Sequence, residues 1–291
     1  MTKGKTITQR INHRIGKFLV KRFDFFEKHF NIHVTPADYN SPIPPSAELH
    51  AGVFEKTFAS IGLNMNGEDQ LSLLENVFSL YIDEYTPETN SGLSLMDAFV
   101  LYCMIRIKKP RVMVEIGAGE STKISMKALD RNRHEGYPSQ FYSIEPYPND
   151  FIKNLKADHF ELINRKLQDM DLSFFEETDL LFIDSSHVSR IGSDVNCEIL
   201  EIIPRLKKDT YIHWHDILIP NNYWKEWVRD ARLFWNESYM VHAFMLFNDS
   251  FRVMWAGHYM QRMYHEKLSQ AFPFFDPSKH KLSSFWVQRI K

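Results

Sequence analysis

Between residues 111 and 216 the chain alternates in a way that few folds can accommodate. Five short apolar runs, 111–116, 140–145, 160–164, 179–184 and 210–216, are separated by segments with helical spacing. Three of them finish on an acid: Glu145, Asp184 and Asp216. Helices are expected between the runs at 121–130, 150–157, 172–177 and 193–203. Strand and helix in alternation with short connections argue a parallel sheet covered by helices on both faces. In such a sheet ligands bind beyond the carboxyl ends of the strands. The residues that end these runs are therefore the first candidates for a site.

The flanks extend this pattern. After the fifth run the spacing predicts helices at 222–230 and 232–247, a strand at 251–256, a helix near 258–271 and a last strand at 284–290. Residues 47–110 read as helical, with segments at 68–82 and 93–107. Ser94 and Asp97 there form a capping pair. In the first 30 residues Lys3, Lys5, Arg10, Arg14, Lys17, Lys21, Arg22 and Lys28 face only Asp24 and Glu27. Ile7, Ile11, Ile15, Phe18 and Leu19 fall at spacings of three and four, so one helix face is apolar. Such a helix either lies on an anionic membrane surface or docks on its own domain or a second subunit. Basic amphipathic helices are common, which favours docking. Pro36, Pro42, Pro44 and Pro45 keep the next segment extended, as a strap. The expected organisation is thus a basic helix and strap over 1–46, a helical segment over 47–110, and a core over 111–291. Helix and strap offer a route to a homo-oligomer.

Composition removes several classes. The net charge is −2, which gives no basis for nucleic-acid binding. Two cysteines, Cys103 and Cys197, exclude a disulfide scaffold and suggest a reducing compartment. The most apolar stretch, 93–107, is shorter than the about 20 residues a membrane span needs, and it contains Asp97 and Arg106. With no secretory signal visible, the expected location is cytoplasmic.

The strongest local signal is Val114-Glu-Ile-Gly-Ala-Gly-Glu-Ser-Thr122. A glycine-rich turn between strand and helix lets a ligand approach the backbone, and the helix start supplies free N–H groups. A dinucleotide site has a third Gly for close helix packing, and Thr122 stands in its place. Glu145 ends the next run, where a carboxylate can accept both hydroxyls of a ribose. Gln168 and Asp169 follow the third run, where polar side chains can reach a base edge.

Taken together, the Gly-Ala-Gly-Glu-Ser-Thr turn, Glu145, Phe182-Ile-Asp-Ser-Ser-His-Val188, Gly192-Ser-Asp-Val195 and His213-Trp-His-Asp-Ile217 resemble the class I S-adenosylmethionine-dependent methyltransferases. They are similar, more narrowly, to a bacterial group found beside glycan and antibiotic-sugar genes, and so are the 39–44 strap and Phe234-Trp-Asn-Glu237. The resemblance covers most of the chain from about residue 31. It implies a Rossmann-like α/β fold: a seven-stranded, mostly parallel sheet with an antiparallel last strand, plus an N-terminal helical extension. It further implies S-adenosyl-L-methionine as methyl donor and a small-molecule or glycan acceptor. Glu115, Gly117, Gly119 and Ser121 would then surround the methionine part of the donor. Glu145 would hold its ribose, Gln168 and Asp169 would lie near adenine, and Asp184 would face the sulfonium.

A polar cluster remains: Asp184, His187, His213, His215 and Asp216. Alternation puts His213 and His215 on one face of their strand, with Trp214 opposite. Two chemistries fit. A histidine can act as general base toward an acceptor hydroxyl. Alternatively, Asp184, His215 and Asp216 can bind a divalent cation that acidifies that hydroxyl, although Mg²⁺ prefers oxygen ligands throughout. Asp184, His187, His215 and Asp216 are the expected catalytic residues. The aromatics of 222–248, Tyr223, Trp224, Trp227, Phe234 and Trp235, read mainly as helix core. The competing readings are an NAD(P)-type oxidoreductase and a non-catalytic module of the same fold.

Overall fold

The computed structural model describes residues 7–87, 92–276 and 278–291. Lys3 and Lys5 of the basic segment lie outside the described residues, as do the side chains of Ile7 and Arg10. The chain divides into two compact units.

The smaller unit combines the described part of residues 1–55 with 224–234. The expected basic helix is two helices, α1 (Ile7–Val20) and α2 (Phe23–Phe30), separated at Lys21 and Arg22. Asn31, in the left-handed conformation at φ 54°, closes α2. A short helix α3 (Ala51–Phe54) follows the strap. The helix expected at 222–230 is only a wide turn, Glu226–Asp230. Trp224 and Trp227 meet edge to face beside it, 4.4 Å apart.

The larger unit holds residues 56–223 and 235–291. Helices α4 (Gly67–Asn76) and α5 (Leu95–Lys108) lead into β1 (Val112–Ile116), α6 (Glu120–His134), β2 (Gln140–Ile144), α7 (Asp150–Asn154) and β3 (Phe160–Ile163). Next come β4 (Leu180–Ile183), α8 (Asp194–Cys197), β5 (Tyr211–Trp214), α9 (Glu237–Met245), β6 (Phe251–Ala256), α10 (Gly257–Met263), α11 (His265–Ala271) and β7 (Phe285–Arg289). The sheet order is β3-β2-β1-β4-β5-β7-β6. β1 to β5 are parallel, and β7 runs antiparallel to both β5 and β6. This is the Rossmann-like seven-stranded arrangement expected from the sequence. Strand order reverses between β1 and β4, where a crevice opens in sheets of this kind.

Burial on both sheet faces explains why the central strands read as continuous apolar runs. Leu180 and Phe182 of β4 pack into one core with Phe99, Met104 and Trp286. Leu181 and Ile183 pack into the other with Ile116, Ile202 and Trp214.

Several helices are shorter or more irregular than their spacing predicts. The segment 172–177 is a single turn, Leu172–Phe175, started by the Asp171 carboxylate accepting from the Ser173 N–H. Beyond α8 the helix widens over Glu198–Ile202 and tightens over Ile203–Arg205. Pro204 lacks the N–H that an α-turn would require there. The long helix expected near 258–271 divides at Tyr264.

The Ser94–Asp97 cap forms, with Ser94 Oγ accepting from the Asp97 N–H at 3.0 Å. Its acid does more than cap. Asp97 is 1% exposed and accepts from the Ser283 N–H at 3.0 Å and from Ser284 Oγ at 2.5 Å. It thereby ties the start of α5 to the segment feeding β7. Removing a buried charged acceptor leaves its donors unsatisfied. Asp97→Ala is therefore expected to cost about 3 kcal/mol, seen as a lower urea midpoint. An unchanged midpoint would show that this tie contributes nothing.

Candidate active site at the carboxyl ends of the strands

The turn after β1 is built around Glu115. This residue is fully buried within β1. Its carboxylate accepts from Ser121 Oγ at 2.6 Å, Thr122 Oγ1 at 2.6 Å and Ser143 Oγ at 2.7 Å. Thr122 Oγ1 in turn accepts from the Gly119 N–H at 3.1 Å. The residue standing where a dinucleotide site has its third glycine thus carries the contact that closes this turn. Gly117 has φ +87°, and a Cβ there would lie 2.0 Å from the Asp184 carbonyl oxygen. Only glycine fits that approach. Gly119 has open space where its Cβ would stand, so the backbone face is accessible.

A cavity of about 630 Å³ opens beyond these strands. Gly117, Glu145, Gln168, Asp169 and Asp184 of the expected site all line it, together with Asp194. Glu115 and Ser121 face each other behind it instead, so their side chains shape the turn rather than the cavity wall. Glu145 Oε1 accepts from the Tyr147 N–H at 2.6 Å, and Oε2 from the Ala118 N–H at 3.3 Å. These contacts hold the carboxylate at the mouth of the turn. The Gln168 side-chain amide donates to the Gly192 carbonyl at 2.9 Å. Asp194 accepts from the N–H of Ser186 at 3.1 Å and its Oγ at 2.5 Å, fixing the loop after β4.

Asp184 leads from this cavity into the polar cluster. His187 Nε2 lies 3.2 Å from Asp184 Oδ1 and 3.6 Å from Asp216 Oδ2. Its Nδ1 lies 2.8 Å from Glu237 Oε2. His187 and Asp216 both hold positive φ, 59° and 58°, a strained conformation for residues other than glycine. Burial opposes protonation of His187, but the hydrogen bonds to Asp184 and Glu237 and the charges of Glu237 and Asp216 outweigh it. They hold the imidazole well above its ordinary range. Burial likewise raises Asp184, yet the His187 hydrogen bond and the charges of His215 and His187 keep its carboxyl below the usual range.

The two histidines of β5 and its end differ. His213 stacks on Phe182 at 4.2 Å with Trp286 at 4.7 Å on it. Burial and the charge of His215 push its basicity well down, so it is a neutral core residue. His215 Nε2 lies 3.5 Å from Asp216 Oδ1. Asp216 Oδ1 also accepts from Ser283 Oγ at 2.9 Å, which links the cluster to the Asp97 tie. Among the described residues, the atoms able to ligate a metal converge at Asp184, His187 and Asp216, all within 4.8 Å of one another. The imidazole of that set is His187, where the sequence suggested His215.

Sequence reasoning gave Glu237 no role, although the stretch that contains it stood out. Residues 235–237 clamp the loop after β4. Trp235 covers the His187 ring at 4.4 Å, Asn236 Oδ1 accepts from the Ser189 N–H at 2.6 Å, and the N–H groups of Asn236 and Glu237 donate to the His187 carbonyl. Tyr223 is buried, its hydroxyl accepting from the Ser238 N–H, and is core as expected.

Residues 114–217, the β1-to-β5 region that contains the glycine turn and the cluster, match the profile of a family described as a methyltransferase domain. An uncharacterized protein of Archaeoglobus fulgidus is 34% identical over 169 residues, covering 48% of this chain and 72% of that one. The β1-to-β5 region is therefore a methyltransferase domain. Two solved structures are similar in outline. One is the S-adenosylhomocysteine-bound Podospora anserina methyltransferase PaMTH1, 12% identical, with 88% of this chain and 99% of that chain covered at a TM-score of 0.42. The other is the O-methyltransferase TomG of Streptomyces achromogenes, solved with S-adenosylmethionine, 12% identical, with 86% and 100% covered at a TM-score of 0.44. The match of residues 114–217 to a methyltransferase domain sets aside the oxidoreductase reading.

The support under the methyltransferase turn has a pH signature. Burial raises Glu115 to about 7, against the opposing hydrogen bonds of Ser121, Thr122 and Ser143. Between its unfolded value, about 4.5, and 7 the folded chain binds more protons at this group than the unfolded chain. Its contribution is therefore fully present below the lower value and declines as pH rises through 7. Glu115→Gln should remove that decline, seen as a smaller loss of urea stability between acidic and neutral pH than in the unaltered protein. Parallel pH curves for the two proteins would contradict this.

Proposed function

We propose that this methyltransferase transfers the methyl group of S-adenosylmethionine to a hydroxyl of a small molecule, with a sugar or glycoside as the acceptor class. The observation that carries the donor placement is the single cavity that joins Gly117, Glu145, Gln168, Asp169 and Asp184. The adenosyl ribose pairs with Glu145, adenine lies toward Gln168 and Asp169, and the methionine part passes along the Gly117–Gly119 backbone. Glu115, Ser121 and Thr122 keep that backbone in shape. Asp184, ionised, faces the sulfonium side. The sugar assignment rests on the sequence resemblance alone.

Methyl transfer needs alignment, exclusion of water and removal of one proton, because the sulfonium is already activated. Asp184, His187 and Asp216 stand where an acceptor hydroxyl would meet the donor. The carboxylates around His187 raise its proton affinity, so the position is shaped for positive charge. Two readings follow. In the first, an acid or imidazole of the cluster takes the hydroxyl proton directly, with His215, 3.5 Å from Asp216, as a member. In the second, Asp184, His187 and Asp216 hold a divalent cation. The convergence of their ligand atoms supports this, as does the contact of Glu237 with the far nitrogen of His187. Carboxylates commonly orient metal-bound histidines in this way. Such an ion would supply acidification of the hydroxyl.

Two measurements test this. Glu145→Ala should weaken S-adenosylhomocysteine binding in calorimetry roughly a hundredfold, the loss of two charge-assisted hydrogen bonds. Unchanged affinity would remove Glu145 from the donor site. Asp184→Asn and His187→Ala should lower turnover by about 10²-fold or more, with His187→Ala retaining donor affinity. Chelation followed by restoration with a divalent ion separates the two readings: lost and recovered turnover supports the ion, and insensitivity supports direct proton transfer.

A further inference from the structure

The basic N-terminal helices carry an apolar face that their own unit leaves open. On α1, Ile11, Ile15 and Phe18 are 52%, 52% and 57% exposed. They stand four and three residues apart and so line one side of the helix. Phe25 and Phe30 of α2 are also exposed, and α2 has no buried residue. Exposed apolar side chains in such a row mark a surface that meets something.

Charge indicates what that is. Residues 1–30 contain eight Lys/Arg and two Asp/Glu, a net +6, so the rest of the chain carries −8 to give the total of −2. Along α1 and at its carboxyl end the cations are not scattered. Arg14, Lys17 and Lys21 follow spacings of three and four, on a stripe beside the apolar row. Arg22 stands over the Phe18 ring at 5.2 Å. An apolar row flanked by cations suits a bilayer interface. The row enters the acyl boundary and the cations reach acidic headgroups. Pairing of two copies along this face would set like charges beside one another. No helix among the described residues is long and apolar enough to cross a membrane, so the helix would lie on the surface rather than span it.

We propose that α1, extended by the aromatic residues of α2, docks this methyltransferase on anionic lipid bilayers. The full-length protein should float with phosphatidylcholine vesicles containing phosphatidylglycerol and not with phosphatidylcholine alone, and salt should weaken the association. Ile11→Asp with Ile15→Asp should abolish flotation. Arg14→Gln, Lys17→Gln and Lys21→Gln together should weaken it on the order of a hundredfold, since each cation near such a surface contributes about fivefold. Stabilisation by S-adenosylhomocysteine should be the same in all variants, which controls for folding. Failure to float with the acidic vesicles would overturn the proposal, as would equal binding to neutral ones. A dimer in ultracentrifugation that Ile11→Asp dissociates, without vesicle binding, would assign the face to a second copy instead.

Discussion

Three hydroxyls meet one buried carboxylate at Glu115, and the shape of the glycine turn after β1 depends on that meeting. Ser121 and Thr122 come from the first turn of α6, Ser143 from β2, and Glu115 itself from β1. The carboxylate therefore fixes the helix start against two adjacent strands at once. A charged group in such a place is costly unless its lone pairs are filled. Here they are filled by neutral donors, and burial still raises its proton affinity to about 7. The Gly117–Gly119 backbone can then turn sharply past the Asp184 carbonyl without a side chain of its own to steady it. Pre-organisation of this kind is what a site requires if it is to align a donor rather than merely bind one.

Around His187 the same logic works with charge. Asp97 holds the Ser283 and Ser284 N–H groups, Ser283 Oγ holds Asp216, and Asp216 faces His187. On the far side of His187 stands Glu237, held in place by α9. The strained backbone at His187 and Asp216 persists because these partners over-determine it. Under the proposed reading, ionised Asp184 favours a sulfonium and loses that attraction once the methyl group has left, so transfer itself loosens the product.

The sheet was legible because both of its faces are buried, which leaves apolar runs bounded by turn residues. That Gly117, Glu145, Gln168, Asp169 and Asp184 share one cavity was legible because topology alone places strand ends together. Glu115 and Ser121 were assigned to the donor by their position in the motif. The inward orientation of Glu115 follows from strand alternation and from a hydroxyl on β2 that no motif includes, and Ser121 turns inward to meet it. The helices were overestimated where a local breaker competes with the spacing. Pro204 widens one of them, and a cap at Asp171 with a strand close behind leaves room for a single turn in another.

Glu237 shows where a reading of the chain reaches its limit. It lies 50 residues from His187, on a helix whose register cannot be inferred from either segment alone. Phe234 and Trp235 read as helix core, and Trp235 does pack as an aromatic. What the sequence lacks is the reason those residue types occur together. Trp235 covers the imidazole, Asn236 pins the loop at Ser189, and Glu237 bonds the imidazole nitrogen. Each contact alone resembles ordinary packing or capping. Together they fix the orientation of one ring, and with it the direction in which His187 Nε2 faces Asp184 and Asp216. A hydroxyl or an ion arriving there meets a geometry set before it arrives.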